Sequence, residues 1–154
     1  MNIKSFTLYP SLCILLAVVT ASCDRPVYYG YQPVNPEGWH STDTLRFELV
    51  EVPNDGWYSM SLGVRYTNTF PYEDLWLVME RRHGDHYRHR DTVHLEVLQN
   101  ASNWASQGNI LHEREEMVAA TRLTAQQMPI ELLVYHIMRN QSLTGISDIG
   151  VKVQ

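Results

Sequence analysis

The densest set of side chains able to do chemistry lies in the stretch RRHGDHYRHRD. Three imidazoles spaced three residues apart and two carboxylates occur there: His83, His86, His89, Asp85 and Asp91. Zinc takes these ligands, so a metal site is one hypothesis. On a strand, however, a spacing of three sends successive side chains to opposite faces, and the four arginines of the stretch would repel a cation. We therefore interpret it as a solvated hairpin end and predict no metal.

Familiar catalytic patterns are missing from the chain. It has no nucleophile elbow, zinc-protease helix, phosphate-binding loop or paired-cysteine motif. The carboxylates are scattered, with no pairing that the sequence locates. His136 lies on the apolar face of PIELLVYHIMR, with Leu132 and Val134, and is interpreted as a hydrogen-bonded core residue. The sequence thus predicts no catalytic residue and no cofactor.

Four tryptophans are the remaining candidates for contact with a ligand. Trp76 falls within an uninterrupted apolar run and is predicted to belong to the core. Trp39, Trp57 and Trp104 fall at loop or strand ends, where an indole ring can offer a flat apolar surface to a sugar. A carbohydrate-binding role for these three is therefore an open alternative.

Cys23 ends a stretch typical of an export signal. Lys4 is followed by an apolar run from Leu12 to Val19, which suits a signal-peptide core of about 7–15 residues and not a membrane-spanning helix of roughly 20. The small residues before Cys23 resemble a bacterial lipobox, and cleavage there leaves no second cysteine to pair with it. Lipid attachment at Cys23 is predicted. A plain secretory signal and an uncleaved N-terminus are the alternatives.

Composition limits the class of protein. The 154 residues carry a formal net charge of −5, which argues against nucleic acid as a partner. We expect a signal peptide at 1–22 and a lipidated N-terminus with a tether, rich in proline, glycine and tyrosine, at 23–41. One folded domain is expected at 42–154. No second hydrophobic span is present in the sequence, so only the N-terminus is expected to contact a bilayer.

Alternation of apolar and polar residues predicts strands through the domain. Leu45, Phe47 and Leu49 share a face, and the turn sequence PNDG predicts a hairpin with the next run, 57–68. Residues 109–123 are ambiguous between a strand and a helical turn. About seven or eight short strands and no convincing helix predict an all-β fold, an antiparallel β-sandwich of the immunoglobulin-like or jelly-roll-like kind.

Several stretches together resemble the GldH family of gliding-motility lipoproteins from Bacteroidota. The most specific is VRYTNTFPYEDLWLVM, which matches the family's strand, asparagine turn, aromatic-proline bend and following apolar strand. The residues that carry this match are Arg65, Asn68, Pro71, Tyr72, Leu75 and Leu77. We expect Pro71 to fix the crossover between two strands and Tyr72 to cap the edge of the core.

The resemblance implies a non-catalytic, lipid-anchored envelope protein that acts through protein–protein contacts in the gliding apparatus, which is linked to type IX secretion. Its expected partners are the membrane, through the N-terminal lipid, and other envelope proteins. Asp24 stands alone after the cysteine, where surface lipoproteins of this phylum carry an acidic run. The domain is therefore expected to face the periplasm. The alternatives are a carbohydrate- or peptidoglycan-binding module and, ranked last, an envelope hydrolase.

Overall fold

β-Strands make up most of the computed structural model, which describes residues 25–84, 87–97 and 110–154. The only helical element in these residues is one turn of 3-10 helix, Ala125–Gln127. The strands are β1 (Tyr28–Pro33), β2 (Trp39–His40), β3 (Leu45–Leu49), β4 (Gly56–Thr67), β5 (Asp74–His83), β6 (Tyr87–Glu96), β7 (Leu111–Leu123), β8 (Ile130–His136), β9 (Ser142–Leu143) and β10 (Ile146–Val153). The predicted antiparallel β-sandwich is confirmed. No helix among the described residues has the length and apolar character that crossing a bilayer requires.

Two four-stranded antiparallel sheets form the layers. The first sheet has the order β1-β10-β4-β7, the second has the order β3-β8-β5-β6, and β2 and β9 form a separate short pair. The predicted hairpin of β3 and β4 is wrong, because β3 pairs with β8 and β4 lies between β10 and β7. β3 and β4 each bury one apolar face. Such a face forms equally well when the two strands lie in opposite layers of a sandwich, so the alternation did not show that they pair with each other.

The core fills the space between the inner faces of the two sheets. Alternate side chains of each strand point into it, and those exposed by no more than 1% include Leu62, Val64, Ile149, Val151, Leu75, Leu77, Leu132 and Val134. Burying such a side chain contributes about 1.5–3 kcal/mol. The sequence showed this alternation in β3, β4 and β8, so the buried face of these strands was predictable.

The run that was ambiguous between a strand and a helical turn forms strand β7 from Leu111 to Leu123. It pairs residue by residue with β4, from Leu123 opposite Gly56 to Leu111 opposite Thr67, with a bulge beside Met60. β7 forms the edge of the first sheet and leaves most of its side chains exposed. An edge strand with two solvated faces needs no strict alternation, which explains why its sequence pattern was unclear.

The expected tether contains a strand. β1 pairs antiparallel with β10, the ring of Tyr28 packs edge-on against the core residue Phe47, and Val34 and Trp39 are buried. The folded domain therefore includes residues that we expected to be outside it. Pro33 is compatible with this arrangement because β1 is an edge strand, which tolerates a missing N–H donor.

Candidate functional site

A groove of about 580 Å³ opens at one end of the sandwich, where β5 begins and β8 ends. Its walls come from the bend before β5, from the first residues of β5 and from the segment after β8. The residues that line it include Pro71, Tyr72, Asp74, Trp76, Ile137 and Arg139. We call this feature the Trp76 groove.

Trp76 lies on the outer face of the second sheet. Its two chain neighbours are fully buried, whereas Trp76 is 42% exposed. The indole stacks on the ring of His94, with 4.4 Å between ring centroids and 15° between planes, and His94 in turn bonds to Asp74 through Nε2. The expectation that Trp76 is a core residue is therefore wrong. An apolar run marks a strand but does not show that its outer face is covered along its whole length.

The bend before β5 joins the core to the groove. Phe70 is 2% exposed, and its ring packs edge-on against Tyr72 with 5.4 Å between centroids. The Tyr72 hydroxyl accepts a hydrogen bond from the Asn140 side-chain amide. Pro71 disfavours a helical conformation at Phe70 and so keeps this segment extended between the sheets. Tyr72 consequently has a fixed place in the groove wall.

Backbone hydrogen bonds hold the two sides of the groove together. The Ile137 N–H donates to the Trp76 carbonyl oxygen at 3.0 Å, and the Trp76 N–H donates to the Met138 sulfur at 3.4 Å. Ile137 nevertheless keeps 49% of its surface exposed. The main chain that carries these two exposed apolar side chains is thus held in place, which limits the ordering that a bound partner must impose.

The chemistry of the groove suits recognition. Tryptophan, tyrosine and arginine are the residues most enriched where protein interfaces gain their energy, and Trp76, Tyr72 and Arg139 meet here. Asp74 adds a carboxylate beside the indole. An exposed aromatic ring flanked by polar groups can pack on an apolar peptide side chain or on the face of a sugar.

Arg65 lies elsewhere, on the outer face of the first sheet. Its Nε donates to Glu113 at 2.9 Å, its guanidinium lies over the Tyr31 ring, and the Tyr31 hydroxyl donates to Glu113 at 3.1 Å. The hydrogen bond from Arg65 lowers the pKa of Glu113 below its usual value, and burial raises the pKa of Tyr31. These contacts attach β1 to the sheet. Asn68 lies in the turn after β4, so of the six residues that carry the family match the groove includes Pro71 and Tyr72.

The groove and the Arg65 contacts fall within a segment that matches one known family. The model of the GldH lipoprotein family matches residues 26–153. The chain belongs to the GldH lipoprotein family. The resemblance inferred from the sequence is thereby confirmed, and membership of this family implies a membrane-anchored protein of the cell envelope.

Individual relatives of this GldH family chain are distant. The gliding motility lipoprotein GldH homolog of Christiangramia forsetii is 21% identical over 150 residues, which span 92% of this chain and 91% of the relative. Among solved structures, Eiger TNF from S. frugiperda matches with a TM-score of 0.38 and 15% identity, over 83% of this chain and 92% of that chain. That TM-score is too low to show that the two proteins share a fold.

Two residues of the histidine cluster, His83 and His89, lie on the paired strands β5 and β6 of this GldH chain. His89 Nε2 lies 3.1 Å from an Asp91 oxygen, while His83 Nδ1 lies 3.5 Å from the Pro129 carbonyl oxygen, so the two rings have separate partners. His86 and Asp85 lie outside the described residues. Within the part that is described, no three potential ligands stand close enough to hold a metal ion.

The other tryptophan candidates differ in their exposure to solvent. Trp39 is 1% exposed and donates from its indole nitrogen to the Asp43 carbonyl oxygen, so it cannot bind sugar. Trp57 is 75% exposed, and Trp104 lies outside the described residues.

His136 is buried, and its Nε2 lies 3.2 Å from the Trp39 carbonyl oxygen. It is the hydrogen-bonded core histidine that we predicted.

Sequence reasoning misplaced Trp76 and missed Ile137 and Arg139. A signal for Trp76 was present, because strict alternation from its buried neighbours puts it on the opposite, outer face. Ile137 carries no comparable signal. Its role depends on the pairing of β5 with β8, which joins residues far apart in the chain.

Proposed function

We propose that this GldH family protein is non-catalytic and binds another envelope protein through the Trp76 groove, while a lipid on Cys23 holds it at a membrane. By extension from the family and from the named relative, the partner belongs to the gliding apparatus and its associated type IX secretion system. The domain faces the periplasm in this proposal.

One observation supports this proposal above all others. Trp76 and Ile137 stay 42% and 49% exposed although a hydrogen bond between their backbones holds the two segments together. Exposed apolar side chains held in a concave site are typical of interaction sites. The name of the relative, a gliding motility lipoprotein, agrees with a binding role and mentions no catalytic activity.

Photo-crosslinking in living cells tests the groove. A photoreactive amino acid at Ile137 should capture an envelope protein, and Trp76→Ala in the same chain should abolish the capture. Met117 provides a matched control, because it is 63% exposed on β7, away from the groove. Equal capture from both positions, or none from Ile137, contradicts the proposal. Protease treatment of intact cells tests the orientation, since a periplasmic domain should resist digestion.

A glycan is the second candidate ligand, because Trp76 combines an exposed indole with the neighbouring Asp74 carboxylate. Titration with soluble peptidoglycan fragments distinguishes the two. Saturable binding that Trp76→Ala abolishes, without protein capture from Ile137, would favour the glycan. Trp57→Ala serves as the control, since Trp57 is exposed but lies outside the groove.

A further inference from the structure

The chain leaves the sandwich toward Cys23 at the end opposite the Trp76 groove. β1 begins at Tyr28, which lies opposite Val153, and Val153 lies opposite Met60 near the start of β4. β1 and β4 therefore run in the same direction from one end. β4 finishes at Thr67, just before the bend that lines the groove. We call the end where β1 and β4 begin, with the turn 50–55, the anchor end.

The distance between the lipidation site and the anchor end is short. Five residue steps separate Cys23 from Tyr28, and a fully extended chain of that length spans at most about 18 Å. A lipid on Cys23 therefore keeps the anchor end within that distance of the headgroups, whatever path the connecting residues take. The side chains exposed at this end are therefore within reach of the bilayer.

Two apolar side chains project at the anchor end. Trp57 is 75% exposed and Val50, in the connection from β3 to β4, is 64% exposed. Trp57 precedes Met60 by three residues in β4, which places it about 10 Å beyond the level of Tyr28, on the side where the chain exits. Arg122 lies directly opposite Trp57 on β7 and is exposed.

This combination fits a lipid surface. Indole rings concentrate at the boundary between lipid headgroups and hydrocarbon, and guanidinium groups pair with phosphate. Of the acidic residues at the same end, Asp55 already accepts a hydrogen bond from the Ala125 N–H at 2.9 Å, while Glu51 is exposed. Arg82, near the end of β5, lies opposite Glu131 at this end too. The charges are therefore mixed, and the exposed indole leads the contact.

We propose that the anchor end rests on the bilayer, with the Trp57 indole in the headgroup region and Arg122 against lipid phosphate. This inference rests on lipid attachment at Cys23. It orients the molecule, because the twelve residues of β4 then extend away from the membrane over roughly 40 Å. The Trp76 groove faces away from the bilayer, toward envelope partners.

Fluorescence quenching tests the contact. The full-length lipoprotein, purified from its own membranes, is reconstituted in vesicles of phosphatidylethanolamine and phosphatidylglycerol, with and without brominated acyl chains. Bromine quenches tryptophan only at close range, so part of the emission should be lost in brominated vesicles. Trp57→Phe should remove most of that loss, whereas Trp76→Phe, at the far end, should preserve it.

The outcomes separate this inference from the lipid anchor. Intact-protein mass spectrometry first establishes whether acyl chains are attached. If the protein is acylated and bound to vesicles but Trp57→Phe leaves the quenching unchanged, the proposed membrane contact is wrong and the lipid anchor is still supported. A protein without acyl chains overturns the anchor itself, and the contact with it. Arg122→Gln should weaken quenching in vesicles that contain phosphatidylglycerol.

Discussion

The guanidinium carbon of Arg65 lies 3.8 Å from the centre of the Tyr31 ring. Tyr31 belongs to β1, and its ring crosses two central strands of the first sheet at positions without side chains. A Cβ atom added at Gly63 would stand 2.2 Å from the tyrosine hydroxyl oxygen, and one at Gly150 would stand 2.5 Å from the ring. The two glycines therefore leave the space through which one aromatic ring attaches β1 to the domain.

Replacing Tyr31 should show how much this attachment contributes. Tyr31→Ala removes the ring over both glycines and is expected to lower the free energy of unfolding by about 2–3 kcal/mol. Tyr31→Phe keeps the ring and loses only the hydroxyl contact with Glu113, so it should cost about 1 kcal/mol or less. Urea denaturation of both variants measures the difference. Equal losses would show that the hydroxyl, and not the ring, holds β1.

Two glycines with left-handed backbones make a matched pair. Gly145 has φ +85°, and an added Cβ would stand 2.4 Å from the Phe70 nitrogen, whereas Gly84 has φ +56° and no atom of the described residues within 4 Å of an added Cβ. Gly84→Ala should cost only the backbone strain, about 1–2 kcal/mol. Gly145→Ala adds a clash with backbone and should exceed about 3 kcal/mol. Thermal unfolding checks the order, which a milder Gly145→Ala would contradict.

His136 should make the stability of the domain depend on pH. Burial lowers its pKa in the folded state, so the unfolded chain binds the proton more readily. The sign follows from linkage: stability is complete above the ordinary histidine pKa of about 6.5 and declines as the pH falls below it. His136→Gln should remove this part of the slope between pH 7 and pH 5. His83→Gln, a half-buried control, should retain it.

Lipid attachment should depend on one of the two cysteines. Cys23→Ser is expected to abolish incorporation of labelled fatty acid, because it removes the only thiol left after the predicted cleavage. Cys13→Ser, inside the apolar run, should leave incorporation unchanged. Stable anchoring takes two or more acyl chains, so vesicle binding should disappear together with the label. Label that persists in Cys23→Ser would place the modification elsewhere.

Much of the fold was accessible from the sequence. The alternation of Leu45, Phe47 and Leu49 predicted a half-buried strand, and the structure buries Phe47 and Leu49. The position of that strand was not accessible, because it pairs with β8, some ninety residues away in the chain. An apolar face requires a facing apolar layer, but its pattern does not say which strand lies beside it.

The candidate site was accessible only in part. Pro71 and Tyr72 were identified from the motif, but Trp76 was assigned to the core and Ile137 was overlooked. The groove exists because the start of β5 and the end of β8 lie side by side. Neither segment shows by itself which distant segment lies beside it, so the sequence could not reveal the surface that the two segments share.

The sequence by itself predicted an export signal with its cysteine, and it determined the all-β class, the family and the buried face of strands with regular alternation. These are properties of neighbouring residues, read from spacings of a few positions. Tertiary structure decided that Tyr31 lies across Gly63 and Gly150, that Trp39 is buried while Trp76 is exposed, and that the groove lies opposite the anchor end. Each of these depends on which distant strands pair, because a side chain is covered or exposed by neighbours that the chain brings to it only on folding.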